Sequence, residues 1–168
     1  MILRILASLA ILLTFSSCAG YRLGNSKPAH LLEVRTISVP LFKNDTQEQR
    51  LAVLATNSCI DAITRDGSYR IGSNGGSDAT LYATISKLDY DEFRSQRLDT
   101  LKPEELEMTI YIDWQLKSPE GKVLASGRDH GETKFFVDAN LQLSRENSLP
   151  DAVKNATEKM ASRLANGF

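Results

Sequence analysis

The chain has 168 residues, with 20 basic and 21 acidic residues and a formal net charge of −1. That length supports one ordinary domain with a real core, and the near-neutral balance argues against a dedicated nucleic-acid binder. Two cysteines among 168 residues exclude a disulfide scaffold and a cysteine-based zinc site.

The first stretch, "ILRILASLAILLTFSSCAG", carries one early Arg4, an apolar run from Ile5 to about Phe15, then small residues and Cys18. The run is too short for a helix that crosses a bilayer, which needs about 20 apolar residues. It has the layout of a cleaved secretory signal peptide over residues 1–17. "FSSC" is similar to a bacterial lipobox, with Phe15 where Leu is usual. Cys18 is then the residue acylated, and its lipid chains (palmitate-class) anchor the mature protein. A plain signal peptide with an incidental Cys18 is the other reading. Ala19 after the cysteine, rather than Asp, points to the outer membrane under the enterobacterial sorting rule.

Residues 18–29 hold Gly, Asn, Ser and Pro and are expected to form a lipidated tether; residues 30–168 are expected to form one domain. "RTISVPLF" alternates, with Ile37, Val39 and Leu41 on one face, and Pro40 marks a strand end or an edge. Thr46 and Gln49 have capping-box spacing before a helix of about 18 residues. On it Leu51, Leu54, Ala55, Ser58, Cys59 and Ala62 share a face. Gly67 suits the left-handed position that ends a helix. Cys59 in this pattern is a small buried hydrophobe.

"YRIG" is a short strand and "SNGGSD" a turn. "ATLYATISKL" alternates again. From Asp89 to Glu105 alternation is lost, and a long charged connection is expected. "MTIYIDWQL" is a further alternating strand, "SPEGK" a hairpin turn, and "VLASG" and "TKFFV" short strands. A last helix is expected to start near Ser148, Pro150 and Asp151, with Val153, Ala156, Thr157, Met160, Ala161 and Leu164 on one face. The order strand, helix, strands, helix gives an α+β fold. Two helices pack on one face of a small, largely antiparallel or mixed β-sheet.

No constellation of catalytic residues stands out. His130 follows Asp129 in a turn-like "RDHGE", but neighbours on a strand point to opposite faces, and no nucleophile motif accompanies them. Both read as solvated turn residues, and His30 lies near the tether. "GSNGGS" lacks the Lys and Ser/Thr of a phosphate loop. No catalytic, metal or cofactor site is expected. Arg94, Arg97 and Lys102, interleaved with Phe93, Leu98 and Leu101, and Lys122, Arg128 and Lys134 could instead meet phosphate and acyl groups. Ordinary solvated charges are the alternative.

"CAGYRLG", "ISVPLFKNDTQEQRLAVLATNSCIDAITRDGSYRI", "SDATLYATISKL" and "EMTIYIDWQLKSPEGKVL" together resemble the LPS-assembly lipoprotein family LptE. Its pattern has a strand ending in V-P-x-F-x-N-x-T, a helix, and an A-D-A-x-L-x-G-x-I strand. Here Ala83 stands where that strand usually has Gly, and Ala19 separates Cys18 from Gly20. The resemblance implies a non-enzymatic lipoprotein at the outer membrane. Its partner would be an LptD-like β-barrel, which it plugs and helps assemble, and it would assist delivery of lipopolysaccharide. Arg94, Arg97 and Lys122 are then candidate lipopolysaccharide contacts. A periplasm-facing binding or scaffold lipoprotein without a barrel is the alternative.

Overall fold

The structure, a computed structural model, describes residues 27–96, 99–137 and 140–167, without the side chains of 94–104. It has six strands: β1 (Thr36–Ser38), β2 (Lys43–Asn44), β3 (Arg70–Ile71), β4 (Ala79–Gln96), β5 (Asp99–Lys117) and β6 (Val123–Phe136). Helix α1 (Leu51–Asp66) lies between β2 and β3, and α2 (Leu141–Asn166) closes the chain. The sheet order is β3-β1-β4-β5-β6, with β2 also paired to β4. β1 pairs in parallel with β3 and β4, and β2 with β4, whereas β4, β5 and β6 are antiparallel. The expected mixed α+β sheet is borne out.

Both helices cover the same sheet face. Leu81, Ala83 and Ile85 of β4 and Met108, Ile110, Ile112, Trp114 and Leu116 of β5 are buried there with the apolar stripes of α1 and α2. The period-two patterns of β4 and β5 supply this face directly. The helices touch through Ser58 and Thr157, whose hydroxyls lie 2.8 Å apart.

Gly67 closes α1 at φ 79°, its N–H donating to the Ile63 carbonyl. The start of α1 differs from the capping box. Its first residue follows Arg50, which makes no side-chain cap. Thr46 Oγ1 accepts from Glu48 N–H at 3.3 Å, and Asn44 accepts from Thr46, so these residues form a turn upstream of the helix.

Val39 to Phe42 depart from the strand pattern because of Pro40. Ser38 lies opposite Thr80 and Lys43 opposite Thr84, so five steps on one side match four on the other. The extra residue is a bulge at the proline, which has no ladder donor. Phe42 therefore enters the core in place of Leu41, and Leu41 is 64% exposed. Phe42 N–H donates to Thr56 Oγ1 at 3.0 Å, fixing the bulge to α1.

The expected connection over 89–105 is instead a hairpin. β4 runs on to Gln96 and β5 begins at Asp99. β6 ends with Phe136 opposite Glu105, so the tip beyond is two strands alone. Among the described residues no third strand pairs with the tip, and repeated register shifts from Glu92 onward break the period.

The last helix also begins earlier than expected, at Leu141. Asn140 is its N-cap, its side-chain oxygen accepting from Leu143 N–H at 3.2 Å. Pro150 lies inside the helix on its exposed side, where the missing N–H costs one backbone bond. "VLASG" and "TKFFV" are one strand, β6, joined through the "RDHGE" segment.

Asp78 fastens β4 to the start of β1. Its carboxylate accepts from Arg35 N–H, Thr36 N–H and Thr36 Oγ1–H at 2.8–2.9 Å. These bonds, chiefly from the Thr36 and Arg35 backbone, hold its pKa below the usual carboxylate value. A depressed folded-state pKa stabilises fully above the unfolded value and is lost as pH falls through the folded one. Asp78→Ala is expected to lower stability by about 1–2 kcal/mol at pH 7. The gap from the parent in thermal unfolding should close as pH falls below about 4.

Candidate functional site: the helix-free face of the sheet

Alternation that sends apolar residues to the helices sends the intervening residues to the other face. Tyr82 and Thr84 of β4, Tyr111, Asp113, Gln115 and Lys117 of β5, and Ser126, Arg128, His130, Glu132 and Lys134 of β6 stand there in register. This face is polar and carries both charge signs. The Pro40 bulge walls one side of it, leaving a groove of about 810 Å³ between Leu41, Tyr82, Gln115, Lys117 and Arg128. Tyr82 is 50% exposed, with Lys117 Nζ 5.6 Å from its ring centre.

Cross-strand pairs order the face. Arg128 donates to both Asp113 oxygens, Nη2 at 2.9 Å. Its guanidinium is the main cause of the lowered Asp113 pKa. His130 Nε2 is 3.1 Å from Glu132, and its ring is 5.8 Å from that of Tyr111. Lys134 sits 3.3 Å from the Phe93 ring centre and 3.7 Å from Glu107. Pairs this exposed contribute little stability individually; together they fix the arrangement of a polar, mixed-charge face.

Asp129 corrects the turn reading of "RDHGE". It points from β6 into the helix-covered side and is 2% exposed. Trp114 Nε1–H donates to it at 2.7 Å and Arg163 of α2 donates through Nε and Nη2 at 3.0 and 2.8 Å. The carboxylate ties α2 to β5 and β6. His130 points to the opposite, exposed face, so no dyad forms. Gly127 opposite Trp114 makes room for the indole: a Cβ there would lie 2.7 Å from its ring. Burial pushes the Cys59 thiol up to about 12, so it is inert packing rather than a nucleophile.

Cys18 and Arg97 lie outside the described residues, as do the side chains of Arg94 and Lys102. The Arg94 backbone is opposite Glu105 in the hairpin. Lys122 is exposed in the β5–β6 turn just past Lys117. From Glu105 to Lys117 along β5 is about 40 Å at roughly 3.3 Å per residue. The structure therefore does not bring Arg94 and Lys122 together. The groove and the Asp129 bridge escaped the sequence reading; the Val-Pro-Leu-Phe bulge was the available signal for the groove.

Residues 34–166 match the family model described as LptE: Lipopolysaccharide-assembly. The chain belongs to the LptE family. This family is one of assembly proteins rather than enzymes, and the chain is a non-enzymatic lipopolysaccharide-assembly protein. No curated protein sequence matches it. Solved structures share the LptE-like fold at low identity. The protein XCC0632 from Xanthomonas campestris is 11% identical with a TM-score of 0.58, covering 84% of this chain and 88% of that one. Uncharacterized lipoprotein B from Nitrosomonas europaea is 13% identical with a TM-score of 0.54, covering 87% and 90%. The PelC dodecamer subunit from Paraburkholderia phytofirmans is 14% identical with a TM-score of 0.53, covering 84% and 95%. Among the described residues no helix is long and apolar enough to cross a membrane, and no His, Cys, Asp and Glu cluster could hold a metal.

Proposed function

We propose that this chain is an outer-membrane lipoprotein that plugs and helps assemble an LptD-type β-barrel and assists lipopolysaccharide delivery to the outer leaflet. The observation that carries the reading is the LptE family match over residues 34–166. The open sheet face supports it. Barrel interiors of this class are polar, and a face of alternating Tyr, Asp, Gln, Lys, Arg and Glu suits such a wall. The rigid helix-backed sheet would fill a lumen that otherwise leaks.

The signal peptide and acylation at Cys18 supply the address. The chain enters the domain at Lys27 and Pro28, where Pro28, Trp114, Ala125 and Gly167 gather beside the end of α2. From Trp114 to the β5 start at Asp99 is about 50 Å of strand at roughly 3.3 Å per residue. A lipid at Cys18 therefore tethers one end of the domain and leaves the hairpin tip as its far end.

Photo-crosslinking tests the plug. A crosslinkable residue at Tyr82 or Gln115 is expected to capture a large β-barrel in cells, and one at helix position Glu158 to capture it less. Capture from neither sheet position would count against the plug. The lipopolysaccharide contacts are tested separately with Arg94→Glu, Arg97→Glu and Lys122→Glu. Each residue that contacts the ligand should lose binding at least threefold at low salt. Unchanged binding in all three removes these residues from the account.

A further inference from the structure

The open face of the sheet is divided by charge sign. Lys87, Tyr111 and His130 form one cross-strand row of it. That row and those toward the β5–β6 turn hold Lys87, Lys117 and Arg128, with Lys43 of β2 lining the same groove. Among the described residues Asp113 is the one carboxylate in this half. The rows toward the hairpin tip, as far as Lys134, hold Asp89, Asp91, Glu107 and Glu132, with Lys134 as the one cation among the described residues. The halves meet where Lys87 Nζ lies 2.5 Å from Asp89 and His130 Nε2 lies 3.1 Å from Glu132.

Within each half the minority charge is already engaged. Arg128 holds Asp113 through two donors, and Lys134 lies 3.7 Å from Glu107. Among the described residues Lys43 and Lys117 have no carboxylate in salt-bridge reach, and Asp91 has no cation. Folding does not require this segregation, because strand alternation asks only that the face be polar. It also carries a cost. Asp91 stands directly opposite Glu107, and like charges so placed destabilise a sheet. Lys117 and Glu107 are ten residues apart on β5, about 33 Å at roughly 3.3 Å per residue. Charges screen over about 8 Å at physiological salt, so each end of the face must find its own complement.

We infer that the open face docks against a barrel wall of matching polarity, an inference that rests on the plug reading. Carboxylates of the wall lie opposite Lys43 and Lys117, and its Lys or Arg side chains lie opposite Asp91 and Glu132. The segregation then sets the direction of the domain along the barrel. Turning the domain end for end would set like charge on like, which suppresses that arrangement. A cation of the wall seated between Asp91 and Glu107 relieves the repulsion that the free domain carries.

The test is the ratio of barrel to lipoprotein when tagged full-length variants are purified from mildly solubilised outer membranes. Lys43→Glu/Lys117→Glu and Asp91→Lys/Glu132→Lys are each expected to lower it about fivefold or more. Lys154→Glu/Lys159→Glu, on the exposed side of α2, should leave it within about twofold. Both reversed pairs on the sheet should unfold near the parent temperature, since exposed charges contribute little to stability. Loss of barrel is then loss of docking, and the milder Asp91→Asn/Glu132→Gln should lower the ratio in the same direction. A parental ratio in either reversed pair overturns the inference while the plug stands, as does an equal loss in the α2 variant. A parent that carries no barrel sinks the plug reading and this inference with it.

Discussion

Gly131→Ala is expected to detach α2 from the sheet. A Cβ at this position would lie 2.0 Å from the Ala152 carbonyl oxygen and 2.3 Å from the Ala156 nitrogen, both helix backbone. Backbone cannot swing aside as the end of a side chain can, so the helix must move. Ala152 and Ala156, both fully buried, would lose their seat against β6 together. Overpacking of this kind costs typically about 1–3 kcal/mol and sometimes more; contact with two backbone atoms sets this case at about 3 kcal/mol or above. The measurement is urea or thermal unfolding of the purified variant. A midpoint within error of the parent would show that α2 does not sit on Gly131 as described.

Arg163→Ala is expected to be the second large effect, and larger than Asp129→Asn. Removing the guanidinium leaves the Asp129 carboxylate, 2% exposed in the parent, with the Trp114 indole as its one remaining side-chain donor among the described residues. An uncompensated buried charge costs about 3–5 kcal/mol. Arg163 has a side chain 41% exposed, so in the converse variant it can turn to water. Asp129→Asn keeps an oxygen acceptor and removes the buried charge, so a loss of about 1–2 kcal/mol is expected. Unfolding of both variants beside the parent checks the order.

What the sequence made legible follows from where the physics is local. β4 from Ala79 to Leu88 and β5 from Met108 to Leu116 have one face on the helices, so their patterns alternate and could be read. α1 could be read for the same reason, and Gly67 marked its end. The hairpin tip beyond Glu105 extends past the end of β6, its register shifts break the period, and its charges looked like a loop. Pro150 looked like a helix start because proline is favoured there, but the stripe of α2 decides that the helix runs through it. Asp129 shows a different limit. Its burial depends on Trp114 opposite Gly127 and on Arg163, which is 34 residues away in the chain. Nothing near Asp129 in sequence announces that.

The candidate site was half legible. Tyr82, Asp113 and Gln115 were readable as the polar side of their strands. Their union with the Pro40 bulge into one groove required the parallel pairing of β1 and β2 with β4. Of the candidate basic residues, the Arg94 backbone and Lys122 lie some 40 Å apart along the sheet, and Arg97 lies outside the described residues.

Affinity purification of the tagged full-length protein from mildly solubilised outer membranes tests the central claim most directly. The plug reading predicts a large β-barrel of the LptD type in stoichiometric amount, identified by mass. Recovery of the lipoprotein without a barrel would contradict the plug and favour a periplasm-facing scaffold.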